Sequence, residues 1–123
     1  MRIALITLLL LASVGCASIV KEKVKYQPAE NVETVQATRT ILLAYESGQG
    51  RIIEANSTWQ YVGNISNKNL PEGKVYKPID DVLSIEGTQR YEAYLVVANG
   101  KIIGFYLPAS SNFSPLTKQV EFP

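Results

Sequence analysis

Arg90-Tyr91-Glu92-Ala93-Tyr94-Leu95-Val96-Val97-Ala98-Asn99-Gly100-Lys101-Ile102-Ile103-Gly104-Phe105-Tyr106-Leu107 is the stretch that decides the fold. Two runs rich in Val, Ile, Leu and aromatic residues flank Asn99-Gly100. Asn-Gly supplies the two positive φ values of a type I′ turn, the strongest short-range hairpin signal. With that turn, Ala98 faces Lys101, Val96 faces Ile103 and Tyr94 faces Phe105 on one side of the hairpin. Val97 with Ile102, Leu95 with Gly104, and Ala93 with Tyr106 form the other. Both faces are apolar near the middle, whereas a hairpin covered on one side only alternates more cleanly. The hairpin is therefore expected to be central, with a second layer on its other face. Gly104 opposite Leu95 marks a place for a bulge or a close approach.

Working outward, a second hairpin is expected around Ser47-Gly48-Gln49-Gly50, entered by residues 38–46 and left by residues 51–55. Val35, Ala37, Arg39, Ile41, Leu43 and Tyr45 share one face of the entering strand. A helix over residues 28–46, capped near Asn31, competes for this region, and its threonines and valines argue against it because β-branched side chains are stiff in helices. Residues 58–65 form a third strand, with Trp59 and Tyr61 on one face. Ser66-Asn67-Lys68-Asn69-Leu70-Pro71-Glu72-Gly73 has the composition of a loop. Residues 74–77 are a short extended piece, residues 80–87 a strand or one capped helical turn, residues 109–115 irregular, and residues 118–122 an edge strand. The expected fold is mostly β: a small antiparallel barrel or sandwich of about five to seven strands over residues 34–123.

The N-terminus has a different character. Met1-Arg2 is a short positive start, and residues 3–14 are apolar apart from Thr7 and Ser13. That run is too short for a bilayer span, which takes about 20 residues, and has the layout of a secretory signal. Ala12-Ser13-Val14-Gly15-Cys16 resembles the lipobox of bacterial lipoproteins. The resemblance implies cleavage after residue 15 and acylation of Cys16, the only cysteine of the chain, at its thiol and its new amino group. Ser13 stands where that family most often has Leu. Ala17 stands where Asp retains a lipoprotein in the inner membrane, so the resemblance implies the outer membrane, with the body facing the periplasm. Several acyl chains anchor stably where one is marginal. Residues 16–33 then form a lipidated flexible tether. Lys21, Lys23 and Lys25 lie within it; a plain solvated tether is the expected role, with contact to anionic headgroups the alternative.

Composition excludes several functions. The 123 residues carry 12 basic and 11 acidic side chains, so there is no basic surplus for nucleic acid. Without histidine there is no Ser-His-Asp or Cys-His catalysis and no imidazole zinc site. Asp80, Asp81 and Glu86 are the densest acidic cluster. Neighbouring strand residues point to opposite faces, so Asp80 and Asp81 do not converge. A solvated turn or a helix N-cap is the expected role, and neither a metal nor a cofactor nor a catalytic residue is expected. The aromatic set Trp59, Tyr61, Tyr76, Tyr91, Tyr94, Phe105 and Tyr106 belongs mainly to a core. Trp59, Tyr61 and Arg39 are the candidate binding residues. Arg39 is a charge on an apolar face that would snorkel or pair with Glu92.

The functional expectation is an outer-membrane lipoprotein whose β domain binds an envelope protein or assembly. Two alternatives stand beside it. An inhibitor or exclusion factor would use residues 66–73 as a protruding loop. A carrier of a small apolar ligand would need a roomy barrel lined by Trp59, Tyr94 and Phe105.

Overall fold

The computed structural model describes residues 20–36, 41–45, 51–55, 57–87 and 89–122, the backbone alone for 51–55. All regular structure among them is β. The strands are β1 (Glu22–Lys23), β2 (Lys25–Gln36), β3 (Ile41–Tyr45), β4 (Arg51–Ala55), β5 (Thr58–Asn67), β6 (Leu70–Pro78), β7 (Ser84–Glu86), β8 (Arg90–Glu92), β9 (Tyr94–Ala98), β10 (Lys101–Leu107) and β11 (Asn112–Glu121). Nine belong to one antiparallel sheet, in the order β2-β5-β6-β9-β10-β11-β3-β4 with β1 beside β11. Strands β7 and β8 form a separate two-stranded ribbon. The mostly antiparallel β architecture is as expected, with eleven strands in place of five to seven. The larger number arises because bulges divide the apolar runs and because part of the expected tether is itself strand.

The Asn99-Gly100 turn forms as its chemistry requires, with φ of 53° and 76° at the two residues. Ala98 pairs with Lys101 and Val97 with Ile102. The register then shifts: Val96 pairs with Gly104, Leu95 with Phe105 and Tyr94 with Tyr106. Ile103 is the extra residue of a β-bulge. The bulge corrects the expected pairing beyond Ile102 and reverses which side chains share a face. Leu95, Val97, Ile102, Phe105 and Leu107 join one apolar cluster with Ile41, Leu43, Tyr45, Trp59, Tyr76 and Ile85. Val96, Ala98, Ile103 and Tyr106 join a second cluster with Val24, Ile65, Val75 and Phe113. The hairpin is thus central and covered on both faces. Its long first run breaks at Ala93, whose N–H donates to the Leu83 carbonyl at 2.9 Å.

Strands β1 and β2 are one run of chain interrupted at Val24. Glu22 pairs with Phe113 on β11, and Lys25 pairs with Ser66 on β5. Those partners stand four places apart in the sheet order. One short run reaches both only because the sheet curls into a half-barrel. Tyr26 stacks on Tyr106 of β10 across this curl, with ring centroids 5.0 Å apart. The flexible-tether reading is therefore corrected for residues 22–33. Their low average hydropathy conceals two apolar points, Val24 and Tyr26, while β5 and β11 take up the backbone hydrogen bonds. The competing helix over residues 28–46 is replaced by strand at 28–36 and 41–45.

Other local expectations resolve in similar ways. Ile41 pairs with Ala55 and Tyr45 with Arg51, giving the second hairpin; its turn lies outside the described residues. The expected loop at 66–73 is instead a tight turn at Lys68-Asn69 between β5 and β6, where the Asn67 side chain accepts the Asn69 N–H at 2.8 Å. Residues 112–115 are strand rather than irregular. Pro115 is tolerated there because β11 departs from β10 at that point: Pro115 opposes Gly104, Leu116 opposes Tyr45 of β3, and pairing with β10 resumes at Val120. Proline, lacking an N–H, is confined to such irregular places in sheets.

Gly104 is the tightest position of the central hairpin. A Cβ there would overlap the Ser114 carbonyl oxygen and lie 2.6 Å from the Phe113 ring. Gly104→Ala is expected to destabilise the body by about 1–3 kcal/mol, as overpacking does. Urea unfolding should show a lower midpoint with an unchanged slope. An unchanged midpoint would mean that the two strands are not in this close contact.

Candidate functional site

Two of the candidate residues, Cys16 and Arg39, lie outside the described residues. The other two are brought onto one face of β5 and then separated by depth. Trp59 is only 1% exposed, in the larger apolar cluster, and its indole N–H meets no acceptor among the described residues. It is a core side chain, which corrects its candidacy as a contact residue. Burial follows from its pairing with Val35 on one side and Pro78 on the other. Tyr61 is half-buried at the edge of the same cluster. Its hydroxyl accepts from Asn64 Nδ2 at 2.6 Å, and Lys74 Nζ stands 5.5 Å from its ring centroid.

Tyr61 lines a polar surface cleft of about 440 Å³ with Gln27, Glu30, Glu33 and Asn64. A wide bulge makes the cleft: Pro28 pairs with Gly63 and Glu33 with Tyr61, so residues 29–32 stand opposite Val62 alone. Gly63 is needed at its edge, because a Cβ there would come within 2.6 Å of the Tyr26 ring and 2.5 Å of the Gln27 carbonyl oxygen.

The acidic cluster resolves into caps. Asp80 Oδ2 accepts the Thr58 N–H at 3.1 Å, and Asp81 Oδ1 accepts the Val82 N–H at 2.7 Å. Glu86 pairs with Arg90 at 3.2 Å on the β7–β8 ribbon. Among the described residues, no group of three or more acidic or sulfur side chains is gathered as a metal site would require. The caps have a consequence that the sequence did not disclose. With the Ile79 N–H donating to the Thr58 carbonyl at 2.9 Å, they fix residues 79–82 so that Ile79 and Val82 point outward, 51% and 69% exposed. Their signal was two apolar residues flanking Asp80-Asp81. It was obscured because strand and helical turn were equally open there.

The three residues expected to line a ligand cavity do not meet. Trp59 and Phe105 are in the larger cluster, and Tyr94 packs against the other, across the sheet. The chain matches no family model, no curated protein and no solved structure.

Three tyrosines have their hydroxyl pKa raised from the ordinary value of 10.0: Tyr26, Tyr76 and Tyr94. Burial is the first cause in each, followed by nearby negative or ionising groups, Tyr106 for Tyr26, Glu33 for Tyr76 and Glu92 for Tyr94. Folding therefore favours the neutral phenol. Stability from these groups is present in full below about pH 10 and is lost as pH rises from there through the folded-state values. A tyrosinate absorbance titration should show a late-ionising class that coincides with loss of strand circular dichroism. Ordinary ionisation of every tyrosine with the fold intact would contradict this burial.

Proposed function

We propose that this chain is an envelope lipoprotein, acylated at Cys16, whose β body works by binding another envelope protein. The anchor half rests on the arrangement of residues 12–16. For the body, the supporting observation is the capped segment 79–82. Exposing two large apolar side chains is unfavourable in water, and here carboxylate hydrogen bonds hold the backbone that presents them. Side chains of this kind, set in a rim of Asp80 and Asp81, have the make-up of a small protein-binding patch: an apolar centre within a polar border.

The two alternatives find less support. The inhibitor reading relied on residues 66–73 as a protruding loop, and a two-residue turn stands there. The carrier reading relied on a space shared by Trp59, Tyr94 and Phe105, which lie on both sides of a filled sheet.

Three experiments test the proposal. Cys16→Ser should abolish fatty-acid labelling and release the protein from membranes; continued labelling overturns the anchor. A photo-crosslinking residue at Val82 should trap one discrete envelope protein in living cells, while the same residue at Thr117, exposed on β11, traps none. No adduct at Val82, or the same adducts at both positions, overturns the binding role of the segment. Ile79→Ser with Val82→Ser should reduce capture by a probe placed at Asp81 and leave the unfolding free energy within about 0.5 kcal/mol of the parent.

A further inference from the structure

The curled sheet gathers lysines that are distant in sequence. Lys23 and Lys25 flank the buried Val24 and are both exposed. The β5–β6 turn brings Lys68 beside them, and the three line a surface cleft of about 440 Å³ with Val24, Ser66 and Asn67. No carboxylate is among these lining residues. The nearby Glu22 side chain accepts from Asn69 Nδ2 at 3.2 Å on the rim. The placement is rigid, since Asn67 Nδ2 donates to the Lys23 carbonyl at 3.1 Å and Lys25 pairs with Ser66. Asp80 lies at the far end of β5, on Thr58. Eight residues of strand separate Thr58 from Ser66, about 26 Å at the usual rise. These three lysines thus gather at the end that the N-terminal chain enters.

We infer that the cleft formed by Lys23, Lys25 and Lys68 docks the body onto anionic phospholipid headgroups of the leaflet that holds the Cys16 anchor. The inference rests on the anchor proposed above. Its second support is reach. Because residues 22–23 are already paired with β11, only five residues, and so six Cα–Cα steps, connect Cys16 to Glu22. Fully extended, they span at most about 22 Å. A body held so close to a surface presents some face to it. Its lysine end follows directly from the point of attachment, and the exposed apolar Val20 leads into it. Anionic headgroups complement the three ammonium groups, of which Lys23 Nζ also donates to the Ser110 carbonyl at 2.7 Å, and such attraction acts only within about a Debye length of 8–10 Å.

The test uses the mature lipidated chain inserted into preformed vesicles of phosphatidylcholine, with or without phosphatidylglycerol. Acetylation of each lysine is followed by mass spectrometry. Lys23, Lys25 and Lys68 should react several-fold more slowly on the vesicles containing phosphatidylglycerol, and high salt should remove the difference. Lys77, Lys101 and Lys118 should react equally on both. Equal reactivity of the three cleft lysines on the two vesicles, or uniform slowing of every lysine, overturns the docking. A chain that carries fatty acid and floats with both vesicles, yet shows no selective protection, fails this inference alone. A chain without fatty acid fails the anchor as well. Lys68→Gln separates a built surface from a basic N-terminal segment, because Lys68 comes from the β5–β6 turn. In the Cys16→Ser chain it should weaken binding to phosphatidylglycerol vesicles about fivefold. Unchanged binding would show that Lys68 takes no part and would overturn the three-lysine cleft.

Discussion

The absence of a side chain at Gly104 is the constraint on which the body's packing turns. It lets the Ser114 carbonyl and the Phe113 ring come against β10 at the point where Ile103 bulges out. A bulge of one residue reverses the parity of everything beyond it. Phe105 and Leu107 therefore enter the larger apolar cluster, while Tyr106 turns to the opposite face and receives Tyr26. The same close approach brings β11 near enough for its start to pair with β1. Two cores on two sides of one sheet follow from one position too narrow for a methyl group.

Much of the fold was legible because its strongest signals are local. Asn99-Gly100 dictates a turn through φ values that few other pairs adopt. The doubly apolar runs around it could belong only to a covered, central hairpin. Residues 41–45 are apolar throughout, so composition does not separate their faces; Ile41, Leu43 and Tyr45, which share the expected face, are buried, and Leu42 is exposed. The register beyond Ile102 was not legible. Gly104 signalled an irregularity without saying which neighbour would be extruded, since that depends on Phe113 and Ser114 arriving from another strand. Residues 22–33 were not legible as strand for a related reason. Their polarity is that of a solvated segment, and strand pairing there depends on backbone partners supplied by β5 and β11, which composition does not register.

The candidate site divides along the same line. Tyr61 and Trp59 do share a face, as alternation required, but alternation says nothing about depth, and Val35 and Pro78 cover the indole. The Asp80-Asp81 pair has no helix to cap among the described residues, but it was readable as a turn. Its effect on Ile79 and Val82 was not, because the Thr58 N–H that Asp80 accepts lies on a different strand. Lys68 joins Lys23 and Lys25 through the pairing of β2 with β5. In each case the informative partner is distant in sequence, and both proposed surfaces depend on such distant pairs.

The pairing of Glu22 with Phe113 also governs how the chain acquires its shape. The half-barrel joins the beginning of the described chain to nearly its end, with the hairpins nested between. Contacts of such separation form slowly, because loop closure must be completed before they contribute. Hairpins β3–β4 and β9–β10 can form from local sequence as soon as they emerge. The seam between β1 and β11 cannot close until β11 has been delivered. An exported chain of this topology would cross a membrane with its first strand unpaired and complete its body only on the far side, where the last strand meets the first.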